Sequence, residues 1–423
     1  MRIFISAIPF FDSDMTVHAY RMMTHDGVKL LGSAEDFRML GGELLAPALE
    51  FVREIGTEPF AGNHDFLVPI SKYQLLIGMP ISMRIPPTNL VCVIDKDTLN
   101  DNAAYAKLGL LKRRGYRLAI DGFPRAISMD TAVKVFDFVL LCYGSDSFAD
   151  EFKEMRQYIF KTKLVITEVP DMETYRKYSG ARGVLLSGNF YSQPITRGLA
   201  EISPLKLNAL QLLGQINNDD IDLGITAETI ERDPALSVSL LKFLNTMNPD
   251  RSRRIDSIRS AVAILGQKEV KKWATVAISV GIGEDRPGEI TRLSLLRAKF
   301  AENLASAFDL AVKSGLLFIT GLFSVLDVIL QMSLKDALDE VAVESEVKDA
   351  LLNKKGPISD VMALVLAYER ADWHNSAIIM VRNGIDVSEL THAFMDSLNW
   401  YRMLLDAIDA DEEDPFEPNL ENS

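Results

Sequence analysis

The side chains able to do chemistry are few and scattered. The five histidines, His18, His25, His64, His374 and His392, include no pair four residues apart, the spacing that sets two imidazoles on one helical face as metal ligands. The cysteines, Cys92 and Cys142, lie in apolar strand-like runs and read as buried core thiols, without zinc-knuckle spacing or a disulfide framework. No serine sits in a G-x-S-x-G nucleophile elbow. Two carboxylates stand out, because Asp121 and Glu168 each directly follow a β-rich run. Acids so placed are either ligands or merely polar strand ends, and the second is the commoner case.

The elements that would position these acids alternate. Strand candidates cover residues 2–7, 16–23, 65–70, 90–94, 116–120, 136–142, 163–167 and 183–186. Amphipathic helical segments lie between several of them, at 42–55, 103–114, 147–160 and 172–179. Strands alternating with helices predict a parallel sheet. So many strands in about 200 residues predict a TIM-like (β/α) barrel, with Asp121 and Glu168 at its mouth.

The pattern changes near Glu201-Ile202-Ser203-Pro204, where helical periodicity takes over. Leu207, Leu210 and Leu213 recur on one side of a helix, and Asp233-Pro234 is a helix start followed by a stripe of Leu236, Leu240 and Leu244. Residues 257–265 end at Gly266, a C-terminal cap. Further helices are expected at 270–278, 291–311, 317–332, 334–340, 346–353, 360–369, 374–383 and 387–405. The fold class is therefore α/β plus all-α. Residues 1–200 are expected to form the barrel, 203–407 an all-helical domain and 409–423 an acidic, disordered tail.

Composition excludes several classes. A net charge of -14 argues against nucleic acid as a partner. The longest apolar run, residues 315–331, contains Ser324 and Asp327 and falls short of the roughly 20 residues that span a bilayer, so no membrane insertion is expected. The opening residues are too short an apolar stretch for a signal peptide before Pro9 and Asp12, which points to the cytoplasm. Lys112-Arg113-Arg114 and Arg251-Ser252-Arg253-Arg254 read as solvated surface, and Phe10, Phe11, Met22 and Met23 as core. Trp273, Trp373 and Trp400 are too dispersed for a stacking platform and read as helix-packing residues.

Ordered motifs carry a resemblance. Ile8-Pro9-Phe10-Phe11-Asp12-Ser13-Asp14-Met15, Leu118-Ala119-Ile120-Asp121-Gly122-Phe123 and Gly188-Asn189-Phe190-Tyr191-Ser192-Gln193-Pro194 resemble, in order and spacing, the start, fifth-strand end and close of the EAL family of cyclic di-GMP phosphodiesterases. Asp233-Pro234-Ala235-Leu236 with Leu240, Leu241 and Asn245, then Ile258, Ala261, Leu265 and Gly266, resemble the HDOD family, a modified relative of HD-GYP hydrolases. Together the resemblances imply a bacterial signal-transduction protein connected with cyclic di-GMP.

EAL phosphodiesterases use converging acids to hold two divalent ions, which activate water and stabilise charge on phosphate. Carried over one position at a time, the resemblance puts the signature Glu at Arg21, the third-strand Asn at Pro69 and the fourth-strand Glu at Cys92, with Asp95 nearby as a second acid. The paired aspartates become Asp121-Gly122, the Lys becomes Leu140, the later Glu is kept as Glu168, and the Gln becomes Ser187. The expectation is a degenerate site with no metal and no other cofactor, in which Arg21 replaces the metal and pairs with Asp121 or Glu168. In the helical half Ser324 and Val325 stand where HD hydrolases carry their His-Asp pair, a loss usual in HDOD domains.

The function expected is a catalytically inactive adaptor that acts by binding a regulatory protein, with the barrel mouth and the region 201–204 as contact surfaces. Dimerisation is compatible with it. A non-hydrolysing cyclic di-GMP receptor is one alternative, although His25 and Ser187 replace the family's Arg and Gln and weigh against nucleotide binding. A weak phosphodiesterase relying on Asp95, Asp121 and Glu168 is the other.

Overall fold

The computed structural model describes residues 3–26, 48–193, 227, 230–231, 241, 255, 257–266, 270, 272, 274–276, 278, 288–341 and 343–409. Several sequence expectations fall outside them: the region 201–204, the motifs at 207–213 and 233–236, the basic run 251–254, Trp273 and the tail beyond 409. Among the described residues no helix is long and apolar enough to cross a membrane.

Eight strands close into a barrel in sequence order. They are β1 (Ile3–Phe11), β2 (Val17–Asp26), β3 (Asp65–Ile70), β4 (Leu90–Asp95), β5 (Arg117–Asp121), β6 (Phe138–Cys142), β7 (Lys163–Val169) and β8 (Val184–Gly188). The expectation of a wholly parallel sheet needs one correction. β1 runs antiparallel to both β2 and β8, while β2 through β8 are parallel. The short turn between β1 and β2 is the cause, since adjacent strands joined by a few residues must reverse direction. Asp12 organises that turn, accepting the backbone N–H groups of Asp14 and Thr16.

Helices connect the parallel strands: α1 (Ala48–Ile55), α2 (Lys72–Leu76), α3 (Asn102–Arg113), α4 (Met129–Val135), α5 (Phe148–Met155) and α6 (Met172–Ser179). Most start with a side-chain cap: Ser71, Asp101, Ser128 and Asp171 each accept an N–H of the first turn. The barrel interior is filled by Phe10, Ala19, Leu67, Val91, Val93, Ala119, Phe138, Leu140, Val165 and Leu185. At its N-terminal end Arg117 forms a two-pronged ion pair with Asp65, 2.5 and 2.6 Å.

The helical elements include α7 (Ile258–Leu265), α8 (Gly288–Asn303), α9 (Ser314–Phe323), α10 (Pro357–Glu369), α11 (Trp373–Asn383) and α12 (Val387–Asp409). As expected, α7 stops at Gly266, whose φ of 79° suits a glycine cap. The single helix expected over 317–332 is instead two, α9 and a short helix Leu326–Leu330. Ser324 makes the break, its hydroxyl donating to the Gly321 carbonyl at 2.7 Å. α8 and α9 cross closely because Gly321 has no side chain: a Cβ there would lie 2.5 Å from the Arg297 carbonyl oxygen and 2.6 Å from Ala298 backbone.

The chain divides into two compact units, Met1–Gln193 with Ala363–His392, and Pro194–Met362 with Ala393–Ser423. Sequence periodicity places one boundary near residue 201, because helices look alike whichever core they join. The contacts instead group a helical stretch from the far end of the chain, residues 363–392, with the barrel. Of the dispersed tryptophans, Trp373 lies in the barrel unit, stacked on Phe4, and Trp400 in the helical unit, edge-on to Phe318.

Candidate functional site at the barrel mouth

In parallel strands side chains alternate between the barrel interior and the outer layer. Counting from the interior residues, Arg21 follows Ala19, Pro69 follows Leu67, Asp95 follows Val93, Asp121 follows Ala119, Cys142 follows Leu140 and Ser187 follows Leu185. These six lie one step above the core layer, Arg21 midway along the longer β2 and the other five at or next to the C-terminal ends of their strands, the side on which a (β/α) barrel gathers its functional groups.

Arg21 crosses this mouth to Asp121, Nη2 to Oδ2 2.5 Å. The pair is partly sheltered, with 19% of the Arg21 side chain and 41% of the Asp121 side chain exposed. Arg21 Nε is buried and has no hydrogen-bond acceptor among the described residues. The guanidinium is permanently charged, so Asp121 Oδ2 faces a fixed cation that a divalent ion would have to displace.

The other acids are also engaged. Asp95 is opposite Asp121 across β4 and β5, but its Oδ1 accepts the Asp97 N–H at 2.8 Å and caps the following turn. Glu168 sits where the β7–β8 register shifts, and its φ of 60° is rare for a side chain other than glycine. Its Oε2 accepts the Cys142 thiol at 3.2 Å. Although Cys142 as a residue is exposed, partial desolvation of its thiol pushes it up to about 11, and Glu168 and Asp121 push it the same way, since a thiolate there would face two carboxylates. Among the described residues no three or more of His, Cys, Asp and Glu are grouped to hold a metal ion. The donor set does not fit a pair of divalent cations: one acid is neutralised by arginine, one caps a turn and one binds a thiol.

The substituted positions fall as follows. Gly122 has φ 98°, and a Cβ added to it would meet Lys96 Cδ at 2.7 Å, so the Lys96 stem lies where a second aspartate would begin. Leu140 is fully buried in the barrel core, and Ser187 is 3% exposed. Pro69 offers no side-chain donor or acceptor. Cys142 corrects an expectation: it is exposed, because it ends β6 just beyond the core layer. Cys92 is buried as expected, and burial raises its thiol to about 12. It is not a mouth residue, however. Val91 and Val93 both line the interior, so Cys92 between them faces the outer layer. Period-two counting back from Asp95 is the sequence signal that separates these faces. His25 lies in β2. Lys96 beside Gly122 carries no motif, and only the folded chain reveals it.

In the helical unit Ser324 accepts from Arg297 Nη1 at 3.0 Å, and Val325 is 1% exposed. An arginine and an aliphatic side chain thus occupy the region where the resemblance would place a metal-binding pair.

Residues 202–355 match the HDOD domain family. The chain is similar along nearly its full length to the Bacillus subtilis protein YuxH, 26% identical over 418 residues that span 96% of this chain and 100% of that one. It is also similar to the cyclic di-GMP phosphodiesterase CdgJ of Vibrio cholerae, 22% identical over 94% of this chain and 92% of that protein. Among solved structures it is similar to an EAL domain protein of Listeria monocytogenes, with a TM-score of 0.34 and 13% identity over 45% of this chain and 88% of that one. BlrP1 of Klebsiella pneumoniae, in a calcium and cyclic di-GMP complex, gives 0.35 and 14% over 46% and 56%. Scores this low add nothing to what the barrel's own topology shows. The chain thus carries an HDOD domain at residues 202–355, which follows a closed eight-stranded barrel in the sequence.

Proposed function

We propose that this protein is a non-hydrolysing adaptor in cyclic di-GMP-linked signalling, acting through contacts with a regulatory protein. The observation that carries the reading is the Arg21–Asp121 ion pair. Hydrolysis of a phosphodiester by the two-ion route needs converging anionic oxygens, and here a guanidinium takes one of the few. The link to cyclic di-GMP rests on the similarity to CdgJ and on the sequence motifs shared with the EAL family.

Purified full-length protein tests this directly. Calorimetry with Mn²⁺ and Mg²⁺ is expected to show no stoichiometric binding, and incubation with cyclic di-GMP and Mn²⁺ no turnover. Turnover that disappears in Asp121→Asn would instead establish a phosphodiesterase, the activity named for CdgJ. Binding of cyclic di-GMP without turnover would make the protein a nucleotide receptor. Capture from the source bacterium, with the full chain as bait and Arg21→Ala as comparison, would identify a partner that depends on the mouth.

A further inference from the structure

β1 is an incompletely paired strand. It faces β2 along its whole length, but it meets β8 only at Phe11, opposite Leu186. The start of β1 is nevertheless buried, with Phe4 and Ile5 both 0% exposed. A buried edge needs partners for its backbone. One such partner, and two side-chain contacts beside it, come from the distant end of the chain, within the same compact unit. The Ile5 N–H donates to the Tyr368 hydroxyl at 3.0 Å, and the Ser6 hydroxyl donates to the Glu369 carbonyl at 3.0 Å. Phe4 stacks on Trp373, ring centroids 5.5 Å apart and planes 11° apart.

Register places these contacts relative to the mouth. Arg21 pairs with Ile8, Met23 with Ser6 and His25 with Phe4. The contacts at Ser6 and Phe4 therefore lie two and four residues beyond the Arg21 level, about 7 and 14 Å further along the ribbon. Ser6 and Phe4 also share the face of β1 that carries Phe10 in the barrel interior.

We propose that residues 368–373 form a strap that fixes the mouth-side end of the β1–β2 ribbon and, through β2, holds Arg21 against Asp121. A ligand or partner that displaces the strap would loosen Arg21, and one that engages Arg21 or Asp121 would in turn weaken the strap, since such coupling is reciprocal. The strap operates whether the mouth receives a nucleotide or a protein surface, so it stands independently of the adaptor reading.

Amide hydrogen exchange on the full-length protein tests it with two variants. Tyr368→Phe keeps the ring and removes the acceptor of the Ile5 N–H, and Trp373→Ala removes the stack on Phe4. Tyr368→Phe is expected to speed exchange about fivefold in two windows, residues 3–8 and residues 20–24, with β4 to β7 unchanged. Trp373→Ala is expected to do the same more strongly; if it does not fold, Tyr368→Phe decides alone. A change confined to the Ile5 amide would overturn the proposal, as would an equal rise throughout the barrel.

Discussion

Arg21 on β2 and Asp121 on β5 meet across the barrel mouth at 2.5 Å, although 100 residues separate them in the chain. The contact joins two positions at which the EAL resemblance expects metal ligands, and it changes what each can do. Asp121 alone could contribute to a cation site. Bound to a guanidinium, it becomes half of a neutral pair.

Removing the arginine tests that balance. Arg21→Ala is expected to lower stability by about 1–2 kcal/mol, part from the partly exposed ion pair and part from lost packing of the side-chain stem. Urea unfolding measures it. Arg21→Glu should do more than destabilise, because it would set a third carboxylate near Asp121 and Glu168. Mn²⁺ is expected to raise the melting temperature of Arg21→Glu and to leave the native protein unchanged.

The Cys142 thiol gives a pH-dependent readout at the same mouth. Its alkylation by iodoacetamide is expected to be slow near neutral pH and to rise toward a midpoint of about 11. Glu168→Gln should move the midpoint down, since it removes a charge that disfavours the thiolate, but not fully to the ordinary value, because partial desolvation of the thiol is the largest cause. The sign for stability follows. The folded thiol holds its proton more tightly than the unfolded one, whose ordinary value is 9.0, so its contribution is complete below that value and is lost as pH climbs toward 11. A midpoint unmoved in Glu168→Gln would contradict the thiol–carboxylate contact.

Backbone at the mouth makes a paired prediction. Gly122→Asp would rebuild the missing aspartate in sequence, yet at φ 98° and against Lys96 it is expected to cost about 1–3 kcal/mol. Glu168→Gly should be neutral to slightly stabilising, because the strain of a side chain at φ 60° is relieved as the thiol contact is lost. Comparing the two melting temperatures checks both directions.

Among the described glycines of the helical unit the sharpest steric constraint is Gly321. Gly321→Ala would place a methyl group against the backbone of α8, which cannot rotate away as a side chain could. A loss of about 3 kcal/mol is expected by thermal unfolding. Because Ser324 and Arg297 lie at the same crossing, loss of their 3.0 Å contact should accompany it.

Much of the architecture was legible in the amino-acid order because period and punctuation are local. The β3 run was bounded at both ends as observed, Asp65–Ile70, and the α6 segment likewise, Met172–Ser179. Both are set by neighbours along the chain: alternation in one case, the Asp171 cap in the other. The mouth was partly legible. Arg21 was expected to pair with Asp121 or Glu168, and the folded chain selects Asp121. Motif position points Cys92 to the mouth, whereas its phase relative to Val91 and Val93 turns it outward. The apolar residues before Cys142 predict a core position, but the last residue of a strand lies beyond the layer its predecessors fill.

The sequence by itself determined the two halves, the barrel and the helical region with its HDOD match, and the scarcity of histidine and cysteine, because these depend on residue types and on periods a few residues long. Only the tertiary structure decided that β1 runs antiparallel to both its neighbours, that Asp95 serves a turn while Glu168 serves a thiol, and that Tyr368 and Trp373 close the edge of β1 from more than 360 residues away. Such contacts join surfaces that no local pattern labels. They exist only once the chain has closed and left particular donors, acceptors and ring faces in need of partners.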